Sequence, residues 1–281
     1  MKRLTLTFLA LAALTAGIAS AAETTPTINV SDAIVWMQTS AEYRALCYQA
    51  YNMALERVKT SAENFKSGDK PIAIVLDCDE TVVDNTPFFA ALFSMDVASE
   101  STASIFMMLA DWINSGEVTA MPGAANFLNA VDKLGVTIFY VTNKPEIMKE
   151  ATLISMKAMK FPQVDDAHVL LDGGQSDKEY RFRKIEEDYN VVVYLGDSAH
   201  DFPIGMYGKN MNQRNAIADV NRELFGQTYI LLPNPIYGSW LSLMGSSSTY
   251  GNDGMTPEER QKALNEALRI WRGGEGYGAE E

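Results

Sequence analysis

The sequence predicts an α/β domain of three layers, in which helices cover both faces of a parallel β-sheet. Short apolar runs alternate along the chain with stretches of helical periodicity. These runs are almost continuously apolar, as in strands that are buried on both faces. Strands that alternate with helices are joined by crossovers, which connect parallel neighbours. The predicted strands are residues 72–76, 136–141, 168–171, 191–195 and 229–232.

Helical signals lie before, between and after these strands. The first predicted helix covers residues 31–64, with Ser31 as its cap. Another covers residues 124–134 and stops at Gly135, a residue type that is common just beyond helix ends. A capping box at residues 256–259 predicts a C-terminal helix.

These elements predict one main domain, residues 31–272, with a smaller helical cap region. The interval between Asp77 and Thr142 is too long for a single crossover helix, which predicts the cap. A glycine-rich, flexible tail is expected over residues 273–281, and a Ser- and Gly-rich loop over residues 245–254. The helical accessory region is expected at about residues 31–66, 86–121 and 241–272.

The N-terminus has the pattern of a cleaved signal peptide, residues 1–21. A basic start precedes an apolar run at residues 4–18, and the small residues 19–21 form a cleavage site. A core or membrane-anchoring helix is the alternative, but the run is short for a membrane span. Residues 22–30 would then form an N-terminal extension. We therefore expect an exported protein, periplasmic or secreted. A lipid or membrane anchor is not indicated, because the sequence near the cleavage site contains no cysteine.

The composition excludes several classes of protein. The chain has 281 residues, a formal net charge of −13, two histidines and two cysteines. A histidine phosphatase would need an Arg-His-Gly signature, and a cysteine phosphatase would need Arg six positions after Cys; neither is present. Two cysteines cannot build a disulfide framework or a Cys-rich zinc site. The acidic balance argues against binding to a nucleic acid polymer.

Polar residues follow three of the predicted strands and mark a candidate site. Ligands of open parallel sheets bind at the carboxyl ends of the strands, which share one edge. Each residue alone could be a helix cap, a polar turn or a solvated surface side chain. Together, in this order, they form a specific signal. They are Asp77 and Asp79, Thr142 and Asn143, Lys178, and Asp197 and Asp201.

The sequence Asp77-Cys78-Asp79-Glu80-Thr81 resembles the first motif of the haloacid dehalogenase superfamily, in its phosphotransferase branch. The resemblance implies that Asp77 is a nucleophile that forms an aspartyl-phosphate. It implies that Asp79 protonates the leaving oxygen and later deprotonates water.

The same resemblance implies a Mg²⁺ cofactor that screens the repulsion between carboxylate and phosphate. Its ligands would be Asp77, the backbone carbonyl of Asp79, and Asp197, with Asp201 as a further ligand or an acceptor from metal-bound water. Lys178 would supply fixed positive charge. Thr142, with Asn143 beside it, would hydrogen-bond the phosphoryl group.

Further motifs lie at residues 36–43, 47–52, 74–85, 139–143, 196–202 and 232–240. These segments are similar to those of the class C acid phosphatases. This resemblance implies hydrolysis of phosphomonoesters, with nucleoside 5′-monophosphates and nicotinamide mononucleotide as good substrates, and a possible homodimer. The chain departs from the family in lacking a lipidated N-terminal cysteine, and in having Cys78 where an aliphatic residue is common.

Aromatic residues near the strand ends are candidates for substrate binding. Phe88, Trp112 and Tyr237 fall in segments that follow the first or the last strand. Aromatic faces can stack on a nucleobase with little regard to which base it is. The alternative for each is a place in the core.

Two other functions stay open at this point. One is a catalytically silent protein that binds nucleotides on the same scaffold, although silent relatives typically lose the nucleophile and Asp77 is intact. The other is a different superfamily reaction. Asp79 argues against dehalogenation, because a halide needs no acid to leave, whereas phosphoryl transfer to a sugar is not excluded.

Overall fold

The computed structural model describes residues 30–95 and 102–242, together with positions 259, 262–263 and 266–268. The chain forms two compact units, one of which is Asn29–Gly254. The other comprises Met1–Ile28 and Met255–Glu281, and it is described only at those six C-terminal positions, of which all but 268 are helical. The predicted signal peptide, its extension up to residue 29, the 245–254 loop and the tail lie outside the described residues.

The larger unit contains the following elements in chain order. They are α1 (Val30–Thr39), α2 (Ala41–Glu63), β1 (Ile72–Leu76), β2 (Val83–Asp84), α3 (Thr86–Phe93), α4 (Thr102–Asn114), β3 (Thr119–Ala120), α5 (Ala124–Lys133), β4 (Thr137–Pro145), α6 (Lys149–Ala158), β5 (Val169–Asp172), α7 (Glu179–Asp188), β6 (Asn190–Gly196), α8 (Met211–Val220), β7 (Tyr229–Leu231) and α9 (Ser239–Ser242). Short 3₁₀ turns lie at Glu146–Met148 and Ala199–Asp201.

The main sheet has five parallel strands in the order β5-β4-β1-β6-β7. β1 is central, and Leu76 at its end lies opposite Tyr140 of β4 and Leu195 of β6. The predicted α/β class is confirmed, and each predicted strand overlaps an observed one. This register brings the chain segments that leave β1, β4 and β6 to the same edge.

Helices cover both faces of the sheet, which accounts for the continuous apolar character of β1. Successive side chains of a strand point to opposite faces. Ile74 and Leu76 pack into the larger core cluster, with Val58 of α2 among its members. Val75 packs on the other face in a second cluster with Phe182 of α7. All five β1 residues are buried, so solvent does not reach either face of the sheet at this strand.

The predicted N-terminal helix is in fact two helices. Ser40 has extended backbone angles, φ −82° and ψ 141°, and its Oγ accepts a hydrogen bond from the backbone N of Tyr43 at 3.1 Å. It therefore caps α2. Apolar residues continue at helical spacing across the break, which is why periodicity alone did not reveal it.

Sequence reasoning also missed the small two-stranded antiparallel sheet of β2 and β3, and helix α8. α8 begins with a capping box between Asn210 and Gln213, but none of its residues is buried. An exposed helix has no apolar stripe to detect. The interval between β1 and β4 holds β2, α3, α4, β3 and α5, in agreement with more than one crossover helix.

Candidate active site

The backbone at the ends of β1, β4 and β6 places the predicted site residues. Asp77 directly follows β1, and its backbone N donates to the carbonyl of Leu195 at 3.0 Å. β4 extends beyond Val141, so that Thr142 and Asn143 belong to the strand. Asp197 directly follows β6. The parallel register therefore carries these side chains to one edge, as expected from the sequence.

Lys178 connects two of the aspartates. It is the N-terminal cap residue of α7, it is 5% exposed, and its Nζ donates to Asp77 Oδ1 and, at 2.7 Å, to Asp201 Oδ1. Burial lowers the pKa of Lys178, but the charges of Asp201 and Asp77 outweigh that effect and hold the pKa above its ordinary value. Lys178 is thus a fixed positive charge between Asp77 and Asp201.

Asp77 itself is buried, and burial raises its pKa to about 6 against the opposing charge of Lys178. Its neighbours Asp201 and Asp79 add like-charge repulsion in the same direction. A carboxylate in this position is crowded by negative charge, so a bound cation would favour its ionised form.

Asp77, Asp197 and Asp201 form a group that could hold a cation. One carboxylate oxygen from each lies within 4.8 Å of the others. Burial, followed by the charges of Asp201 and Asp77, raises the pKa of Asp197 well above its ordinary value. Three converging carboxylates are the donor set of a hard divalent cation. The donors present therefore fit the predicted metal, and no second group of this kind occurs among the residues that the structure describes.

Hydrogen bonds hold the carboxylates of Asp197 and Asp201 in place. Asp197 accepts from Thr81 Oγ1 at 3.2 Å and from Asn234 Nδ2 at 2.8 Å. Asp201 Oδ2 accepts from the backbone N of Ser198 at 2.9 Å, as part of a capping box. These bonds orient the ligands before any cation arrives.

Gly196 makes room for Asp201. A Cβ atom at position 196 would lie 2.2 Å from Asp201 Cβ and 2.3 Å from its Oδ2. Any side chain there would push the carboxylate away. The last residue of β6 is therefore restricted to glycine by the site rather than by the strand.

The carboxylate of Asp79 lies outside this three-aspartate group and has different partners. Its Oδ1 forms an ion pair with Lys144 Nζ and accepts from Asn85 Nδ2 at 2.7 Å. Its Oδ2 accepts from Thr142 Oγ1 at 3.5 Å. Burial raises the pKa of Asp79, but Lys144 and these hydrogen bonds outweigh burial and bring it below the ordinary value.

Sequence reasoning missed Lys144. It lies one residue beyond Asn143 on β4 and is 7% exposed. Lysines are rarely buried, so a lone lysine carries no signal of this kind in a single sequence. Only the extension of β4 past its apolar run places it beside Asp79.

Arg181, also missed, holds the end of β4, which carries Thr142 and Asn143. Its Nη1 donates to the carbonyls of Thr142 at 2.8 Å and Leu171 at 3.0 Å, and its Nη2 donates to Asn143 Oδ1 at 2.6 Å. The other end of the Asn143 amide is also engaged, since its Nδ2 donates to the carbonyl of Ser176, in the segment before α7, at 2.9 Å. The arginine therefore fastens the helix that starts at Lys178 to the strand that carries Thr142.

The three candidate aromatic residues differ in their surroundings. Phe88 is 3% exposed in the larger core cluster and offers little surface to a ligand. Trp112 and Tyr237 are partly buried. Trp112 Nε1 donates to Asn85 Oδ1 at 2.9 Å, whereas Tyr237 lies against Phe89 with ring centroids 4.9 Å apart. Substrate contact by any of the three stays a prediction.

The hydroxyl of Tyr237 donates to Glu80, which lies between Asp79 and Thr81. Glu80 is fully buried, with a φ of 51°, and its Oε1 accepts from the backbone N of Asn85 at 2.9 Å. Burial and the charge of Asp79 raise the pKa of Glu80 well above its ordinary value. Tyr237 thus ties the segment after β7 to the side chain of Glu80 in the first motif.

A parallel sheet with carboxylates converging on its carboxyl edge is the architecture of the haloacid dehalogenase superfamily. The family of acid phosphatases described as HAD superfamily, subfamily IIIB, matches residues 5–240. The chain belongs to this family. It is accordingly a phosphomonoesterase of the acid phosphatase type, and the predicted class C resemblance is confirmed.

Individual relatives agree with this assignment. The chain is similar to the class C acid phosphatase of Bacillus anthracis, with a TM-score of 0.76 and 30% identity, over 86% of this chain and 97% of that one. A second structure of the Bacillus anthracis enzyme, with tungstate bound, matches equally well. Acid phosphatase 1 of Solanum lycopersicum is 23% identical over 202 residues, which is 66% of this chain and 69% of the tomato protein. None of the helices among the described residues combines the length and the apolar character needed to span a bilayer.

Proposed function

We propose that the protein is an exported, Mg²⁺-dependent acid phosphatase that hydrolyses phosphomonoesters, including nucleoside 5′-monophosphates, through an aspartyl-phosphate on Asp77. The observation that carries this proposal is the contact of Asp77 with Lys178 beside two further aspartates. A nucleophilic carboxylate next to fixed positive charge and a potential cation site fits attack on a phosphate dianion.

In the first half of the reaction, an oxygen of Asp77 attacks phosphorus and the alcohol oxygen of the ester departs. Lys178 stabilises the charge on the phosphoryl oxygens, and the hydroxyl of Thr142 donates a hydrogen bond to one of them. Asp79 gives its proton to the departing oxygen. In the second half, Asp79 takes a proton from water as that water attacks the aspartyl-phosphate.

Asp77, Asp197 and Asp201, with the backbone carbonyl of Asp79, are the proposed Mg²⁺ ligands. The cation would offset the repulsion between the carboxylates and the phosphate, and so lower the cost of their approach. Oxygen donors alone favour a hard cation such as Mg²⁺ over a soft one. The tungstate in the Bacillus anthracis structure is a tetrahedral oxyanion like phosphate, which supports an oxyanion site in this chain too.

Trp112 and Tyr237 support a preference for nucleotides, since both are partly buried aromatic residues tied to the residues around Asp79. Stacking on either ring would add affinity for a base without selecting one base. The signal-like N-terminus supports export. A homodimer is part of the proposal through the class C resemblance.

Hydrolysis of p-nitrophenyl phosphate and of nucleoside 5′-monophosphates tests the proposal. Turnover should require Mg²⁺, stop with EDTA, and return when excess Mg²⁺ is added. Asp77→Asn should abolish turnover while the protein stays folded by circular dichroism. Turnover that survives both EDTA and Asp77→Asn would refute the mechanism.

A further inference from the structure

The two carboxylate oxygens of Asp79 have unequal environments. Oδ1 is engaged by two strong donors, the ammonium of Lys144 and, at 2.7 Å, the amide of Asn85. Oδ2 accepts one hydrogen bond among the described residues, from Thr142 Oγ1 at 3.5 Å, which is the outer limit for such a bond. The Asp79 side chain is also 25% exposed, so substrate can reach it.

Hydrogen bonds fix both ends of the Asn85 amide and its backbone N. Its Nδ2 donates to Asp79, its Oδ1 accepts from Trp112 Nε1 at 2.9 Å, and its backbone N donates to Glu80 Oε1 at 2.9 Å. Asn85 is 3% exposed, so water offers its amide little alternative. Rotating the amide by half a turn would set its NH₂ group against the indole N–H and its oxygen against the Asp79 carboxylate. The indole N–H of Trp112 therefore determines which end of the amide faces Asp79.

We propose that Asn85 and Trp112 are positioning residues for the acid–base function of Asp79, and that Oδ2 is the oxygen that transfers the proton. This inference rests on the proposed function. With Oδ1 occupied by donors, a proton on Asp79 resides on Oδ2. The Oδ2–H bond breaks as the bond between phosphorus and the leaving oxygen breaks, and the leaving oxygen takes that proton. Oδ2, now anionic, later accepts a proton from the attacking water.

The chain Trp112–Asn85–Asp79 also connects α4 with the end of β1. Trp112 lies in α4, in the long interval between β1 and β4, whereas Asp79 belongs to the first motif. A role in stacking on a substrate and a role in orienting Asn85 use different parts of the indole, the ring face and the N–H group. Trp112→Phe removes the N–H and keeps an aromatic face, so it separates the two roles.

The test measures kcat/KM for a series of substituted phenyl phosphates, from p-nitrophenyl to p-methoxyphenyl phosphate. p-Nitrophenol is the strongest acid among the leaving groups, so it departs with little help from a proton, whereas p-methoxyphenol needs more. kcat/KM reports the first, ester-cleaving step even where a later step limits kcat. Because none of these substrates carries a base, affinity for a nucleobase does not enter.

We expect Trp112→Phe and Asn85→Ala to lower kcat/KM about tenfold more for p-methoxyphenyl than for p-nitrophenyl phosphate, as for partial loss of general acid catalysis. Trp36→Phe is the matched control, since Trp36 packs edge-on to Tyr43 with centroids 5.4 Å apart and, among the described residues, donates no hydrogen bond to Asn85 or Asp79. Trp36→Phe should leave unchanged the slope of log kcat/KM plotted against the pKa of the leaving group.

An equal fall for all esters in both variants, or no fall in either, would overturn the positioning role. Should Asn85→Ala fail to fold, Trp112→Phe decides alone, because it keeps a ring of similar character in α4. Failure of the proposed function would look different: the wild-type protein would turn over none of these esters with Mg²⁺ present.

Discussion

Lys144, a buried lysine, forms an ion pair with the partly exposed Asp79, while a different buried lysine, Lys178, contacts Asp77 two residues earlier in the chain. The pKa values of the two carboxylates are shifted in opposite directions. Lys178 is shared between Asp77 and Asp201, and the pKa of Asp77 lies above its ordinary value, at about 6. Lys144 and Asn85 both donate to Asp79, whose pKa lies below its ordinary value despite burial. Without a cation, these environments favour a proton on Asp77 rather than on Asp79. A cation held by Asp77, Asp197 and Asp201 would favour the ionised Asp77 that the proposed attack requires.

The ion pair makes Lys144 important for stability. Lys144→Met keeps most of the side-chain volume but leaves the Asp79 carboxylate, 25% exposed, without its cation. The loss of a charged hydrogen-bond donor costs about 2 kcal/mol in the free energy of unfolding. Urea unfolding measures this loss. The double variant with Asp79→Asn should recover part of it, and strictly additive losses would show that the two side chains are not coupled.

Gly196→Ala should weaken metal binding, because the new methyl group would overlap Asp201 Cβ, 2.2 Å away. Displacing a ligand-orienting group of this kind costs about 10-fold to 100-fold in metal affinity. Titration of activity with Mg²⁺ measures the change. Gly173→Ala is the control, since its methyl group would meet only the hydroxyl of Tyr180, at 3.2 Å. Equal Mg²⁺ dependence in both variants would contradict the steric argument.

Arg181→Met should destabilise the protein, because the buried carbonyls of Thr142 and Leu171 and the amide oxygen of Asn143 lose their donor. We expect a loss of about 3 kcal/mol in the free energy of unfolding, with weaker binding of inorganic phosphate as Thr142 loses its support. Arg183→Met in the same helix is the matched control: that side chain is 74% exposed and pairs with Glu179 on the surface. Its cost should stay within about 0.5 kcal/mol.

Substitutions of Tyr237 separate its ring from its hydroxyl. Tyr237→Ala should raise KM for nucleoside 5′-monophosphates more than for p-nitrophenyl phosphate, since stacking on a base is worth about 1–3 kcal/mol. Tyr237→Phe keeps the ring and should keep the ratio of the two KM values, although Glu80 loses a hydrogen bond. Equal effects of Tyr237→Ala on both substrates would rule out stacking.

Asp79→Asn should remove turnover and retain affinity for inorganic phosphate, because the amide preserves the shape of the side chain but cannot cycle a proton. Isothermal titration with phosphate in the presence of Mg²⁺ measures the affinity. Parallel losses of binding and turnover would assign Asp79 a structural or electrostatic role instead.

The elements with strong local signals were predicted well. β1 was predicted at its observed bounds, because five consecutive apolar residues between polar turns have few alternatives. The site residues after β1, β4 and β6 were predicted together because parallel strands bring their carboxyl ends to one edge. Ser40, by contrast, interrupts a helix within an unbroken apolar pattern, so its extended backbone was not visible in the residue types.

The sequence by itself therefore determined the α/β class, the acid phosphatase motifs and the aspartates at the sheet edge, since all of these depend on local patterns and chain order. Only the tertiary structure decided the partners of those aspartates: Lys144 and Asn85 on Asp79, Lys178 between Asp77 and Asp201, and Glu80 with Tyr237. Except for Asn85 and Asp79, these partners are distant in the chain. Burial strengthens their contacts, and the residue type of a lysine or glutamate does not reveal whether it is buried.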